Sequence, residues 1–151
     1  MENNTHKNTA AILHLSSLSQ YFIPFGNFIF PILIWSYNKQ KSETIDIQGK
    51  QVINFQLSLF LYSLLLCLIA FPILILTVLK NINIESFLQN NEFTMDHFTL
   101  GNSTGIVIIA LLSLLILGFI KIIEFFLIIY AAVKTANGDS FKYPFTIAFI
   151  K

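Results

Sequence analysis

The 151-residue sequence contains no arginine and only one cysteine, one tryptophan and four prolines. Charged residues make up 11% of it, against about 25% in an ordinary soluble domain. So few charges cannot cover a water-exposed surface. That excludes an average globular protein, a disordered chain and a coiled coil. Without arginine, and with a net charge of +1, there is no basic stripe of the kind nucleic acids require, so no nucleic-acid partner is expected. The lone Cys67 can close no internal disulfide. His6, His14 and His97 stand apart, without HxxxH or HExxH spacing. No metal is expected, and with no Gly-rich phosphate loop or Ser-His-Asp set, no cofactor and no catalytic residue. What is abundant is apolar side chain, 55% of the total with 16 phenylalanines. The composition is that of an all-α integral membrane protein, with the lipid bilayer as its first partner.

After a polar N-terminus at 1–10, three apolar blocks follow at 11–36, 52–79 and 105–133, within a single helical membrane domain, 11–151. A spanning helix needs about 20 apolar residues. The second block has no charge from Leu57 to Leu79. The third is interrupted by Lys121 and Glu124. The first is broken at Pro24-Gly26, because proline removes a backbone donor and glycine tolerates any bend. Two arrangements fit this block: a broken span, or an amphipathic helix followed by a re-entrant piece. The broken span is the expected arrangement, which gives three transmembrane helical blocks, the first broken at Pro24-Gly26.

Lysine sets the orientation. Loop 37–51 holds Lys39, Lys41 and Lys50, and the tail 134–151 holds Lys134, Lys142 and Lys151, whereas loop 80–104 holds only Lys80. Lysine-rich loops stay in the cytoplasm, so loop 37–51 and the C-terminus are expected inside and loop 80–104 outside. Phe87, Phe93 and Phe98 suggest that the outer loop folds back onto the bilayer edge. The N-terminus is outside if the first block spans, inside if it is re-entrant. At the third block's end, Asn137-Gly138 predicts a left-handed stop. Beyond it, Phe141, Tyr143, Phe145, Ile147 and Phe149 alternate with Lys142, Pro144, Thr146 and Ala148. This period of two predicts an extended segment.

Lys121 and Glu124 are the sharpest local signal. A charge at helix-centre depth costs about 2.5–3.5 kcal/mol, so it usually faces protein or a wet cavity. At i and i+3 the two share a face, either as an ion or proton relay or as a self-neutralising pair. That face continues through Ala110, Ser113 and Leu117. Gln56, Ser63, Cys67 and Ala70 form a matching stripe on the second helix, where Pro72 should introduce a kink. Counted from the inner ends at 1.5 Å per residue, Gln56 lies about 9 Å deep and Glu124 about 13 Å. A Gln56–Glu124 hydrogen bond is therefore expected across the two helices.

His14, Pro24, Gly26, Asn27, Gly49, Lys50, Asn54, Gln56, Gly138, Tyr143 and Pro144, in this order and spacing, resemble a bacterial membrane family of unknown function related to the Tic-twenty subunit of the chloroplast inner-envelope import machinery. The resemblance covers residues 11–151. It implies a multi-span helical protein of the bacterial inner membrane and no established reaction. The chain departs from that pattern at Gln48 and Gln51, and at Lys121 and Glu124, where the family is mostly apolar. The expected function is a non-enzymatic subunit or scaffold of a membrane assembly, with other membrane proteins or further copies of itself as partners. The alternative is a small homo-oligomeric channel or transporter that uses the broken first helix.

Overall fold

The computed structural model describes residues 4–81 and 104–151. The expectations for loop 80–104, including Phe87, Phe93 and Phe98, concern residues almost all outside that set. Every regular element described is helical: α1 (Asn4–Leu15), a 3-10 helix (Ser16–Tyr21), α2 (Gly26–Asn38), α3 (Glu43–Asn81) and α4 (Thr104–Ala136). Two stretches among them, Glu43–Leu76 and Val107–Ala136, are long and apolar enough to cross a membrane. The first block is not a third such helix. It divides into the end of α1, the 3-10 helix and α2, and α2 is only 13 residues long, about 20 Å. Three spans are thus not what the described helices provide.

The chain falls into two compact units, Met1–Leu61 with Ile120–Lys151, and Tyr62–Phe119. The second is apolar helix. Ala70, Ala110 and Ser113 are buried there, while Leu64, Leu68, Phe71, Leu111 and Leu115 are exposed. Small residues lie inward and bulky ones outward, as expected where the surroundings are lipid. Pro72 lies within α3. Ser113 Oγ donates to the Ile109 carbonyl at 2.9 Å, which satisfies a hydroxyl that would otherwise be costly in an apolar setting.

The first unit holds almost all of the polar chemistry. Its core is Leu13, Ile45, Val52, Phe55, Ile128, Ala131, Phe141 and Tyr143, drawn from α1, α3, α4 and the tail. α3 begins at Glu43, well before the apolar block at 52, and Asp46 and Lys50 pair at 2.6 Å one turn apart. Trp35 of α2 donates to Asp46 Oδ1 at 2.9 Å and packs closely on Gly49, where a Cβ would collide with the indole. That close approach is what Gly49 permits. The bend between the 3-10 helix and α2 is equally tight. Phe25 is left-handed at φ 60°, and a Cβ on Gly26 would fall 2.8 Å from the Ser19 backbone. α4 ends as its sequence predicts: Gly138 adopts φ 95° and the Asp139 amide donates back to the Lys134 carbonyl at 3.2 Å.

The tail beyond Gly138 has no regular secondary structure. Alternation holds only at its start, where Phe141 and Tyr143 are buried and Lys142 and Pro144 are exposed. At Phe145 the backbone turns left-handed, φ 55°, and Phe145, Ile147 and Phe149 become exposed. The period-two pattern describes the buried start and fails after the turn, because one left-handed residue changes which side the following residues face.

Candidate functional site

Two polar networks occupy the first unit. α2 folds back on the 3-10 helix and α1 to make a hairpin that turns at Phe22–Phe25, and one network lies towards its base. His14 is fully buried, and its Nδ1 lies 2.8 Å from the Tyr143 hydroxyl. The Gln48 amide faces the other ring nitrogen. Both of its ends are satisfied when its nitrogen donates to Phe141 O and His14 Nε2, each at 3.1 Å, and its oxygen accepts from Phe141 N at 3.2 Å. The reverse orientation sets carbonyl against carbonyl and N–H against N–H. This assignment makes the ring a neutral tautomer that accepts at Nε2 and donates from Nδ1 to Tyr143.

His14 lies outside both helices that are long and apolar enough to cross a membrane, and burial lowers its pKa to about 4. A glutamine oxygen facing the ring would work against this shift, whereas the amide nitrogen also favours the neutral ring. Burial, and then the charge of Glu124, raise the Tyr143 hydroxyl above its usual range. The Tyr143 ring stacks on Phe55 at 4.0 Å and meets Phe141 edge-on at 4.9 Å.

Further along α3, Asn54 and Ser58 hold the rest of the tail by its backbone. Asn54 Oδ1 accepts from the amides of Phe149 (3.1 Å) and Ile150 (2.8 Å), and its Nδ2 donates to the Ile150 carbonyl at 2.9 Å. Ser58 Oγ accepts from the Ile147 amide at 2.8 Å. Gln48, Asn54 and Ser58 thus do for the tail what a neighbouring strand would do. Sequence reasoning assigned Asn54 no such role and missed Ser58. The available signal was polar side chains recurring along a helix that is otherwise apolar.

The second network lies at the hairpin's tip. Glu124 is fully buried. Its Oε2 accepts from Lys121 Nζ at 2.8 Å and its Oε1 from Gln20 Nε2 at 2.9 Å. Lys121 Nζ also reaches Gln20 Oε1 at 3.3 Å, and its side chain is 48% exposed. The expected Gln56–Glu124 bond is not the one formed. Gln20 takes that place, because the folded-back first block brings it alongside α4. Gln56 instead accepts from Asn27 Nδ2 at 2.8 Å, and its own Nε2 is buried without a hydrogen-bond partner, as is Ser17 Oγ.

The structure therefore brings His14, Gln48 and Tyr143 together, then Lys121 and Glu124, then Asn27 and Gln56. Pro24 is exposed in the bend before Gly26. Lys50 pairs with Asp46, and Pro144 lies in the turn of the tail. Gly138 packs against Lys7, whose Nζ would lie 2.6 Å from an added Cβ. In both networks the buried ionisable groups, His14, Tyr143 and Glu124, are held against protein partners, while Lys121 is half exposed.

The model of the magnetosome magnetite crystal formation protein family (MamF/MmsF) matches residues 5–150. The chain belongs to that family. The likeness to a Tic-twenty-related family is thereby corrected: all the positions that carried it, from His14 to Pro144, fall within this match. In this chain several of those positions hold the first block and the tail against α3 and α4, and their spacing alone does not identify a family. No curated protein and no solved structure matches the chain.

Proposed function

We propose that this chain acts in magnetite crystal formation as a non-enzymatic protein of a bacterial membrane, a subunit or scaffold in a membrane assembly. The observation that carries the reading is the family match along 5–150. The site supports the non-enzymatic part: His14, Glu124 and Tyr143, the groups best suited to proton transfer, are at most 2% exposed, and each has a protein partner. A catalytic acid or base must come within hydrogen-bond reach of a substrate, and these are enclosed. The exposed side chains of α3 and α4 from Leu64 to Leu76 and from Ile108 to Phe119 are apolar and suit lipid, other membrane proteins or a further copy of the chain. The lysine distribution supports a multi-pass placement with loop 37–51 and the C-terminus in the cytoplasm.

Deletion of the gene in a magnetite-forming bacterium should alter the number or size of the crystals seen by electron microscopy, and a plasmid copy should restore them. Crystals unchanged by deletion would refute the role. Proteins that co-purify in mild detergent identify the assembly.

A further inference from the structure

The first apolar block raises a question that family membership does not answer: where it lies relative to the bilayer. Contacts within the first unit fix its path. Lys7 packs on Gly138, at the end of α4, and Gln20 bonds Glu124. From Lys7 to Gln20 the chain advances about 20 Å at 1.5–2.0 Å per residue, matching about 21 Å of α4 from Gly138 back to Glu124. The segment thus runs antiparallel to the end of α4. It turns at Phe22–Phe25 and returns along α3, where Asn27 bonds Gln56 and Trp35 lies on Gly49. Asn27 to Trp35 covers about 12 Å and Gln56 to Gly49 about 11 Å. Both arms are in register, and the tip stops at the level of Glu124 and Gln56. From Glu124, α4 continues to Thr104, a further 30 Å or so of helix.

From Ala11 to Trp35 every exposed residue is apolar or aromatic, and the exposed polar residues Asn4, Thr5, Asn8 and Ser36 lie towards the two ends of the hairpin. His14, Gln20 and Asn27 bond inward to protein. Phe22 (88% exposed), Phe25 (65%), Leu33 (60%) and Tyr37 (78%) point away from it. Where α2 ends, Lys39 lies 4.9 Å over the Trp35 ring and Lys41 4.1 Å over Tyr37. Lysine paired with Trp and Tyr is the residue set of a membrane–water interface. An apolar tip, inward polar groups and a cationic aromatic rim at one end together define an element inserted from one side.

We infer that residues 4–38 form a re-entrant hairpin whose outer face takes the acyl chains of one leaflet, with Asn4, the α2–α3 turn and the C-terminal tail all on the same side of the membrane. The chain enters that leaflet at α1, reverses at Phe22–Phe25 and leaves at Lys39–Lys41. Non-helical backbone at this depth is tolerated where protein satisfies it. Here Ser19 O accepts the amides of Phe22 (3.0 Å) and Ile23 (2.9 Å).

The test uses the full chain with Cys67→Ala, in proteoliposomes of phosphatidylcholine and phosphatidylglycerol. Asn4→Cys and Ser140→Cys, both at exposed positions, should react with a membrane-impermeant maleimide from the same face. A nitroxide on Phe22→Cys should collide with oxygen in preference to a water-soluble nickel chelate. Labelling of Asn4→Cys and Ser140→Cys from opposite faces overturns the inference in favour of a span. Same-face labelling with a nickel-accessible Phe22→Cys nitroxide overturns it too, because the hairpin would then lie in water. These readouts are independent of crystal formation, so this topology and the proposed function can fail separately.

Discussion

The base and the tip of the hairpin are both buried and polar, yet they are built by opposite rules. At the base every group is neutral. His14, Gln48, Tyr143 and the Phe141 backbone are linked by hydrogen bonds between neutral groups. At the tip a full charge is enclosed: Glu124 is 0% exposed while its partner Lys121 is 48% exposed, and the Gln56 Nε2 nearby has no partner. A neutral network costs little to bury once it is complete. A buried carboxylate must be continually compensated by the cation and amide that hold it. The base should therefore tolerate anything that keeps its hydrogen bonds, and the tip should be governed by charge balance.

Removing Lys121 should have the largest effect. Lys121→Met leaves Glu124 buried with only Gln20 as a donor, and stranding one member of a buried pair costs about 3 kcal/mol or more. Lys121→Met with Glu124→Leu should recover most of that loss, since the charge to be compensated is gone. Glu124→Leu alone should cost less than Lys121→Met, because the half-exposed ammonium left behind can extend outward. Unfolding in mixed micelles measures all three. If Lys121→Met is silent, the tip is not governed by charge balance and the contrast with the base collapses.

The base can be perturbed by acid. The pKa of His14 is lowered from 6.5 to about 4 on folding, so between these values the unfolded chain binds the proton and the folded chain does not. Stability from the neutral ring is complete above about pH 6.5 and falls as the pH drops towards 4, by at most about 1.4 kcal/mol per pH unit. Between pH 7 and pH 4.5 the loss attributable to His14 should reach about 2 kcal/mol. His14→Gln, which cannot titrate, should be less acid-sensitive than the parent by that amount. Equal acid sensitivity in both proteins would remove His14 as the cause.

Much of this was legible in the sequence. The charge-free run from Leu57 to Leu79 and the apolar block at 105–133 are lipid-compatible by composition alone, and α3 and α4 follow them. Pro24-Gly26 and Asn137-Gly138 mark a bend and a stop that the backbone takes, because few residues other than glycine fit there. The first block misled because hydropathy counts apolar residues without regard to the side they face. His14, Ser17 and Gln20 lower the hydropathy of the 11–36 block only slightly, yet they are the residues that pack on protein. The partner of Glu124 was misjudged for the same reason. The depth argument placed Gln56 near it, but a hairpin that folds back supplies Gln20 at closer range. In the tail, alternation could not foresee the left-handed turn at Phe145, whose residue type disfavours it.

Gln56→Leu should have the smallest effect, and its sign separates two accounts of the tip. The amide oxygen accepts one hydrogen bond, from Asn27 at 2.8 Å. Interhelical polar contacts of this kind average about 0.6 kcal/mol. Against that loss, the substitution removes a buried Nε2 that has no partner, and an unsatisfied buried donor costs about 1–3 kcal/mol. Asn27 is only partly buried, so its freed amide can find another acceptor. The two contributions nearly cancel, and stability should change by less than about 1 kcal/mol in either direction. A double-mutant cycle of Gln56→Leu with Asn27→Ala should return a coupling near 0.6 kcal/mol. A loss above about 2 kcal/mol for Gln56→Leu, left unchanged by Asn27→Ala but abolished in the Lys121→Met with Glu124→Leu background, would mean that the Gln56 amide donates to Glu124 after all. The contrast between tip and base would then reduce to charge alone.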